Sequence, residues 1–289
     1  MIHDRIGLKE MLSMKVLNQT YTLNNGVKIP KIGFGTWQIK PGDETYQAVT
    51  LALKHGYRHI DTAEGYRNEK SVGEAVRDSG IPREEIFVTS KLESHIKDYE
   101  GALRAFDETM EALGFEYLDL FIIHAPWPWS EMGKDCKEGN VAAYKAMEKI
   151  YKSGRVKAIG VSNFSPEDIQ NILDHCEVVP AVNQIGYFIG LDQSKTINYC
   201  NEKGIFIEAY SPLGIGYLLD NPVINEVAKK YNVSAAQICI RYLIQKGTAP
   251  LPKSIHEKRI IQNTEVDFEI KDEDMKLLDT VKGDPRRWS

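Results

Sequence analysis

The chain predicts an α/β protein, a (β/α)8 TIM barrel whose lower end is capped by an N-terminal β-hairpin. Three observations predict it. Short, β-branched apolar runs alternate with charged stretches of helical period along most of the length. The alternation comes round eight times, and eight βα units in roughly 250 residues make a closed parallel barrel. The runner-up, an open doubly wound sheet, usually carries G-x-G-x-x-G after its first strand. Here both Gly33-Phe34-Gly35 and Gly214-Ile215-Gly216 lack the third glycine.

The elements follow in order. Residues 20–30, TYTLNNGVKIP, read as a hairpin in which Asn25-Gly26 is a two-residue turn. The strands are expected at 31–36, 57–61, 86–91, 118–124, 156–162, 181–185, 205–210 and 249–253. Between them lie helical stripes. Tyr46, Val49, Ala52 and Leu53 share one face of 43–55, and Leu103, Phe106, Met110 and Leu113 share one face of 98–113. Ser165-Pro166-Glu167-Asp168 is a helix start: a cap, a proline at the first helical position, then acids that suit the positive end of the helix dipole. With no low-complexity linker, residues 1–289 read as one domain. Residues 1–15 stand outside the pattern as a disordered or additional N-terminal extension, and Met14 offers an alternative start.

Composition narrows the function classes. Hydrophobic residues at 42% and charged residues at 27% suit a globular protein. A net charge of −5 speaks against nucleic-acid and anionic-membrane partners, which want a basic surface. Cys136, Cys176, Cys200 and Cys239 form no C-x-x-C pair, which suits free thiols in a reducing compartment. No apolar run reaches membrane-spanning length, and MIHDRIGLKEMLSM lacks the apolar centre of a signal peptide. The expectation is a cytoplasmic protein.

In such a barrel, chemistry sits at the C-terminal ends of the strands. There the sequence places Thr36-Trp37, Asp61 with Tyr66 beyond it, Lys91, His124, Ser162-Asn163, Gln184, Tyr210-Ser211 and Lys253-Ser254. Each has an ordinary structural reading taken singly: a turn cap, a solvated charge, a satisfied core histidine. Their convergence on one rim favours a site.

The segments GFGTW (33–37), IDTAEGY (60–66), TSK (89–91), LDLFIIH (118–124), GVSNF (160–164), NQI (183–185), YSPLG (210–214) and PKSIHEKRIIQN (252–263) resemble the aldo-keto reductase superfamily in its compact bacterial form. The match runs in order from about residue 20 to 280. The resemblance implies a barrel that reduces aldehydes or ketones with NADP(H). It implies a catalytic tetrad of Asp61, Tyr66, Lys91 and His124, with Tyr66 as proton donor. A free tyrosine has a pKa near roughly 10. Lys91 beside the phenol is expected to lower that value, Asp61 to hold Lys91 charged, and His124 to orient the substrate oxygen. Tyr210 is expected to stack on the nicotinamide, with Ser162, Asn163 and Gln184 on its carboxamide. Ser211 and Leu213 fall in the pyrophosphate-covering loop, and Thr36, Trp37 and Asp61 lie on the near side of the cofactor. Lys253, Ser254 and Arg259 replace the acid that an NAD site offers the ribose, which points to a 2′-phosphate. Gln262 and Asn263 match positions near the adenine. Trp37, Tyr66, His124 and Trp127 are expected to touch substrate, and the family implies a monomer.

Two departures from the family pattern touch the substrate side. Ala125 follows the histidine where many relatives have tryptophan, and Glu93 stands where many have an aromatic residue. Four other readings are weighed. A nucleotide-binding regulatory barrel without turnover would not need all four tetrad residues. A barrel aldolase would use Lys91 as a Schiff-base lysine. A metal pair at His55 and His59 fails, because Gly56 breaks the helix between them, and no metal is expected. There is also no G-x-S-x-G to support an α/β-hydrolase.

Overall fold

The computed structural model describes residues 15–283. The expected N-terminal extension lies outside the described residues except for Lys15, as do residues 284–289 of the tail.

The chain opens with an antiparallel hairpin, β1 (Thr20–Thr22) and β2 (Lys28–Pro30), with Tyr21 opposite Ile29. The turn differs from the two-residue expectation. Gly26 N–H bonds Leu23 O at 2.9 Å and Leu23 N–H bonds Val27 O at 2.9 Å, so three residues, Asn24 to Gly26, close it. Gly26 takes a φ of 87° and supplies the left-handed residue that such a loop ends on. The side chains of Asn24 and Asn25 donate to Pro180 O and Lys157 O, tying the turn to the barrel. Leu23 and Ile29 pack on Phe87, Leu120, Ala158, Ala181 and Val182. Phe87 and Val182 begin their strands, so the hairpin caps the N-terminal end of the barrel.

Eight parallel strands follow: β3 (Phe34–Gly35), β4 (His59–Asp61), β5 (Phe87–Leu92), β6 (Leu118–Ile123), β7 (Val156–Ser162), β8 (Val182–Gly186), β9 (Phe206–Tyr210) and β10 (Ala249–Leu251). Neighbours in sequence are neighbours in the sheet. Hydrogen bonds from Gly33 N–H to Pro250 O and from Gly35 N–H to Pro252 O join the first barrel strand to the last. That seam explains why β3 and β10 are shorter than the predicted 31–36 and 249–253. Pro250 and Pro252 have no N–H to return to the ladder. The approach is also close: a Cβ on Gly33 would lie 2.5 Å from Leu251 Cδ2 and 2.7 Å from His59 Nδ1.

The helices between strands are α1 (Asp43–Lys54), α2 (Glu69–Asp78), α3 (Tyr99–Leu113), α4 (Lys137–Lys152), α5 (Pro166–His175) and α6 (Ser194–Glu202). After β9 come α7 (Pro222–Tyr231) and α8 (Ala235–Gln245), and after β10 come α9 (Glu257–Gln262) and α10 (Asp272–Asp279). The predicted stripes are the buried ones: Val49, Ala52 and Leu53 on α1, and Phe106, Met110 and Leu113 on α3. Asp98 caps α3 by accepting from Gly101 N–H, and Ser165 caps α5 in a reciprocal box with Asp168. Gly56, at φ 96°, ends the turn after α1 and leaves His55 and His59 on different elements. Among the described residues no group of three or more His, Cys, Asp or Glu could hold a metal ion, and no helix is long and apolar enough to cross a membrane.

Helix α7 is an insertion that the eightfold rhythm did not announce. Its Ile224, Val227 and Ala228 join Leu243 of α8 and Leu278 of α10 in a second apolar cluster on the β9–β10 side. This cluster anchors the long segment after β9 beside the barrel mouth.

Candidate active site

The inside of the barrel is polar at its upper end. Asp61 on β4, Lys91 on β5, Gln184 on β8 and Glu208 on β9 touch one another although these strands are not all neighbours, so the contacts cross the barrel interior. Alternation along the strands puts them there. Thr89 and Lys91 point inward, while Ser90 points out to Glu69 of α2.

Lys91 is fully buried. Its Nζ donates to both carboxylate oxygens of Asp61 at 2.8 Å, to Thr62 O at 2.7 Å and toward Tyr66 Oη at 3.4 Å. Burial is the largest single effect and pulls the ammonium down, but Asp61 and Tyr66 together outweigh it, so Lys91 titrates above its ordinary value and stays charged. Tyr66 sits in a short helical turn, Glu64–Tyr66, just after β4. Here the expectation about its acidity is corrected. Lys91 acts in the expected direction, but burial is the larger effect and leaves the phenol above its usual pKa. Tyr66 therefore holds its proton near neutral pH. The His124 ring stands edge-on to it, with centroids 5.6 Å apart, and burial lowers the pKa of that imidazole.

A second buried set lies beneath. Gln184 Nε2 donates to Asp61 Oδ1 at 2.8 Å and to Glu208 Oε2 at 3.1 Å. Glu208 Oε1 lies 3.5 Å from His59 Nε2, which also contacts Thr89 Oγ1 at 3.0 Å. Burial pushes Glu208 up to about 8 and His59 down to about 4, so both are neutral at pH 7. For Glu208 the folded value lies above the unfolded value of about 4.5. Its proton therefore contributes stability in full below pH 4.5, and the contribution is lost as pH rises through about 8. Glu208→Gln is expected to flatten the fall in unfolding free energy between acidic and mildly alkaline pH, measured by urea denaturation. An unchanged slope would refute the assignment. Sequence reasoning missed Glu208 and His59: strand position alone shows an inward residue, not a neutral carboxyl against a neutral imidazole.

Above this layer a cavity of about 1920 Å³ opens at the C-terminal ends of the strands. Drug-sized sites enclose about 300–1,000 Å³, so there is room for an extended ligand and a small second molecule. Asp61, Tyr66, His124, Trp37 and Trp127 line one end. Ser162, Asn163, Gln184, Tyr210, Ser211 and Leu213 line the middle. Lys253, Ser254, Arg259, Gln262 and Asn263 line the far end. Two predicted residues are not on the wall. Lys91 lies under Tyr66, and Thr36 is buried with its hydroxyl donated to Asp61 O at 2.9 Å, pinning β3 to β4. Asn68, not singled out from sequence, secures the same corner: its Nδ2 donates to Thr36 O, and its Oδ1 accepts from Thr62.

The middle is pre-set by hydrogen bonds. Tyr210 Oη donates to Asn163 Oδ1 at 2.7 Å, Asn163 Nδ2 donates to His124 O, and Ser162 Oγ donates to Gln184 O. Asn163 and Ser211 hold positive φ of 62° and 51°, a backbone conformation that concentrates at ligand sites. At the far end, Lys253 and Arg259 are exposed, and no ion pair joins either to an acid among the described residues. Arg259 lies on α9, whose N-cap is His256.

Three comparisons bear on this geometry. The model of the aldo/keto reductase family matches residues 31–282. Glyoxal reductase of Bacillus subtilis (strain 168) is 42% identical over 271 residues, covering 93% of this chain and 95% of the relative. Glycerol 2-dehydrogenase (NADP(+)) of Saccharomyces cerevisiae is 41% identical over 307 residues, covering 96% of each. Among solved structures, an aldo-keto reductase enzyme from a Medee basin deep-sea metagenome library superposes with a TM-score of 0.85 at 41% identity, covering 91% of this chain and 95% of that one. With the parallel barrel and the family match across most of its length, this chain belongs to the aldo/keto reductase family and is an oxidoreductase.

Proposed function

We propose that this chain reduces small aldehydes or ketones to alcohols with NADPH, and that Tyr66 delivers the proton. The observation that carries the reading is the buried Lys91–Asp61 pair set directly under the Tyr66 hydroxyl on the wall of the cavity. The cofactor, when bound, supplies the hydride. Tyr66, held protonated by burial, gives its proton to the carbonyl oxygen as negative charge develops there. The adjacent Lys91 ammonium stabilises the phenolate left behind, and Asp61 keeps Lys91 in place. His124 faces the same point from just past the end of β6 and orients the oxygen. Trp37 and Trp127 exclude water around it. Tyr210 offers a ring face to the nicotinamide. Gln184 spends its amide N–H groups on Asp61 and Glu208, leaving its carbonyl for the carboxamide beside Ser162 and Asn163. The same reading takes the whole chain as one domain acting as a cytoplasmic monomer, without metal, nucleic-acid or membrane partners.

The preference for NADPH rests on Lys253 and Arg259, two cations with no acid partner among the described residues at the far end of the cavity, with Ser254 beside them and Gln262 and Asn263 toward the adenine. Guanidinium and ammonium groups suit a phosphate monoester. Arg259→Ala is expected to raise KM for NADPH by about tenfold, the loss of one charge-assisted contact, and to leave KM for NADH unchanged. The primary test is loss of NADPH fluorescence with a panel of aldehydes and ketones, repeated with NADH. Equal use of both cofactors would keep the reductase and remove the phosphate argument. Tight NADPH binding without turnover on any carbonyl would replace this reading with a regulatory binding barrel, and a borohydride-trapped adduct at Lys91 with an aldolase.

A further inference from the structure

Glu93 stands two residues after Lys91, just past the end of β5, on the cavity wall. Its Oε1 lies 3.7 Å from His124 Nδ1, and its Oε2 lies 3.7 Å from His95 Nδ1. The contact with His124 is longer than a hydrogen bond, and His124 Nδ1 is buried without a hydrogen-bond partner among the described residues. The carboxylate also occupies the space a side chain at position 65 would need, since a Cβ on Gly65 would lie 1.9 Å from Glu93 Oε1. Glu93 is thus wedged between the turn that carries Tyr66 and the ring of His124. Those are the two groups that take the carbonyl oxygen in the reading above, and Glu93 shares the cavity wall with both.

The other charges on this wall do not cancel it. Glu64, two residues before Tyr66, adds a second carboxylate. Arg67 and His95 also line the cavity, but both are exposed at its rim, where water and salt screen them. Lys91 is already held by Asp61. Trp127 and Trp129 carry no charge. A carboxylate in this half-buried place attracts hydrogen-bond donors and repels anions more strongly than one in open water.

We propose that Glu93 is a specificity-determining residue that selects neutral carbonyl compounds bearing a hydroxyl next to the carbonyl, and excludes those bearing a carboxylate there. The proposal rests on the reductase reading.

The test compares glycolaldehyde with glyoxylate, two aldehydes of the same carbon number that differ in a hydroxymethyl or a carboxylate group. Wild type is expected to favour glycolaldehyde in kcat/KM. Glu93→Gln is expected to raise glyoxylate relative to glycolaldehyde by about tenfold, the order expected for removing one like charge a few ångströms away. Glu93→Asp is expected to keep the wild-type ratio. Intrinsic differences between the two aldehydes cancel when variants are compared with wild type. An unchanged ratio in a Glu93→Gln enzyme that binds NADPH and turns over glycolaldehyde would overturn the proposal. So would a wild-type enzyme that reduces glyoxylate as well as glycolaldehyde, which needs no variant to fold. Wild type that binds NADPH but reduces no carbonyl at all would instead overturn the reductase reading beneath it.

Discussion

Tyr66→Phe is expected to lower kcat for carbonyl reduction by about 10²- to 10⁴-fold, the usual contribution of a positioned general acid, while NADPH binding survives. The substitution removes one oxygen and leaves the ring edge-on to His124. The missing oxygen lies 3.4 Å from Lys91 Nζ, on the cavity side of the Lys91–Asp61 pair. Lys91 keeps three other contacts, two with Asp61 and one with Thr62 O, so the buried pair does not come apart. Turnover and stability should therefore separate: a large loss of rate, a small change in melting temperature, and unaltered quenching of protein fluorescence by NADPH. A variant turning over at the wild-type rate would show that the proton comes from elsewhere, with His124 the next candidate on the same wall.

Lys91→Met is expected to do the opposite to the balance of effects. It should cost about 3–5 kcal/mol of folding free energy, as removing one partner of a buried ion pair does, and should also abolish turnover. Asp61 is buried, and without Lys91 its carboxylate keeps Gln184 as its one side-chain donor among the described residues. Urea denaturation measures the loss. The double variant Asp61→Asn/Lys91→Met is expected to recover much of it, since it removes the stranded charge as well as its partner. If Lys91→Met unfolds at the same urea concentration as wild type, the pair does not carry the upper barrel. The two variants together distinguish a group that acts on substrate from a pair that also holds β4 to β5.

Much of this was readable from one dimension. A strand's inward and outward positions alternate, so IDTAEGY, TSK and LDLFIIH announced which ends of which strands would meet at a rim. Helix starts such as Ser165-Pro166 were legible because a cap acts on backbone groups two or three residues away. The hairpin was legible in kind and misjudged in detail. Asn25-Gly26 is a strong signal for a two-residue turn, but Asn24 and Asn25 are drawn to Pro180 O and Lys157 O, and a three-residue loop lets both reach. The barrel seam is shorter than its apolar runs suggest because the prolines at 250 and 252 end the ladder there. Helix α7 is not legible in the pattern, because a helix packed against α8 and α10 rather than the sheet has no place in a βα rhythm.

The residue types at the rim, the parallel barrel that gathers them and the cap at its lower end belong to the local pattern of the chain, because alternation, capping and turn preference act over a few residues. What the tertiary structure alone decided is the state of the charges. Burial set Tyr66 above its ordinary pKa despite Lys91, neutralised Glu208 against His59, and brought Glu93 to His124 across β5 and β6. The energy of a charge depends on its distance from other charges and from water. Those distances join residues as far apart in sequence as Asp61 and Gln184, and they exist only once the barrel has closed.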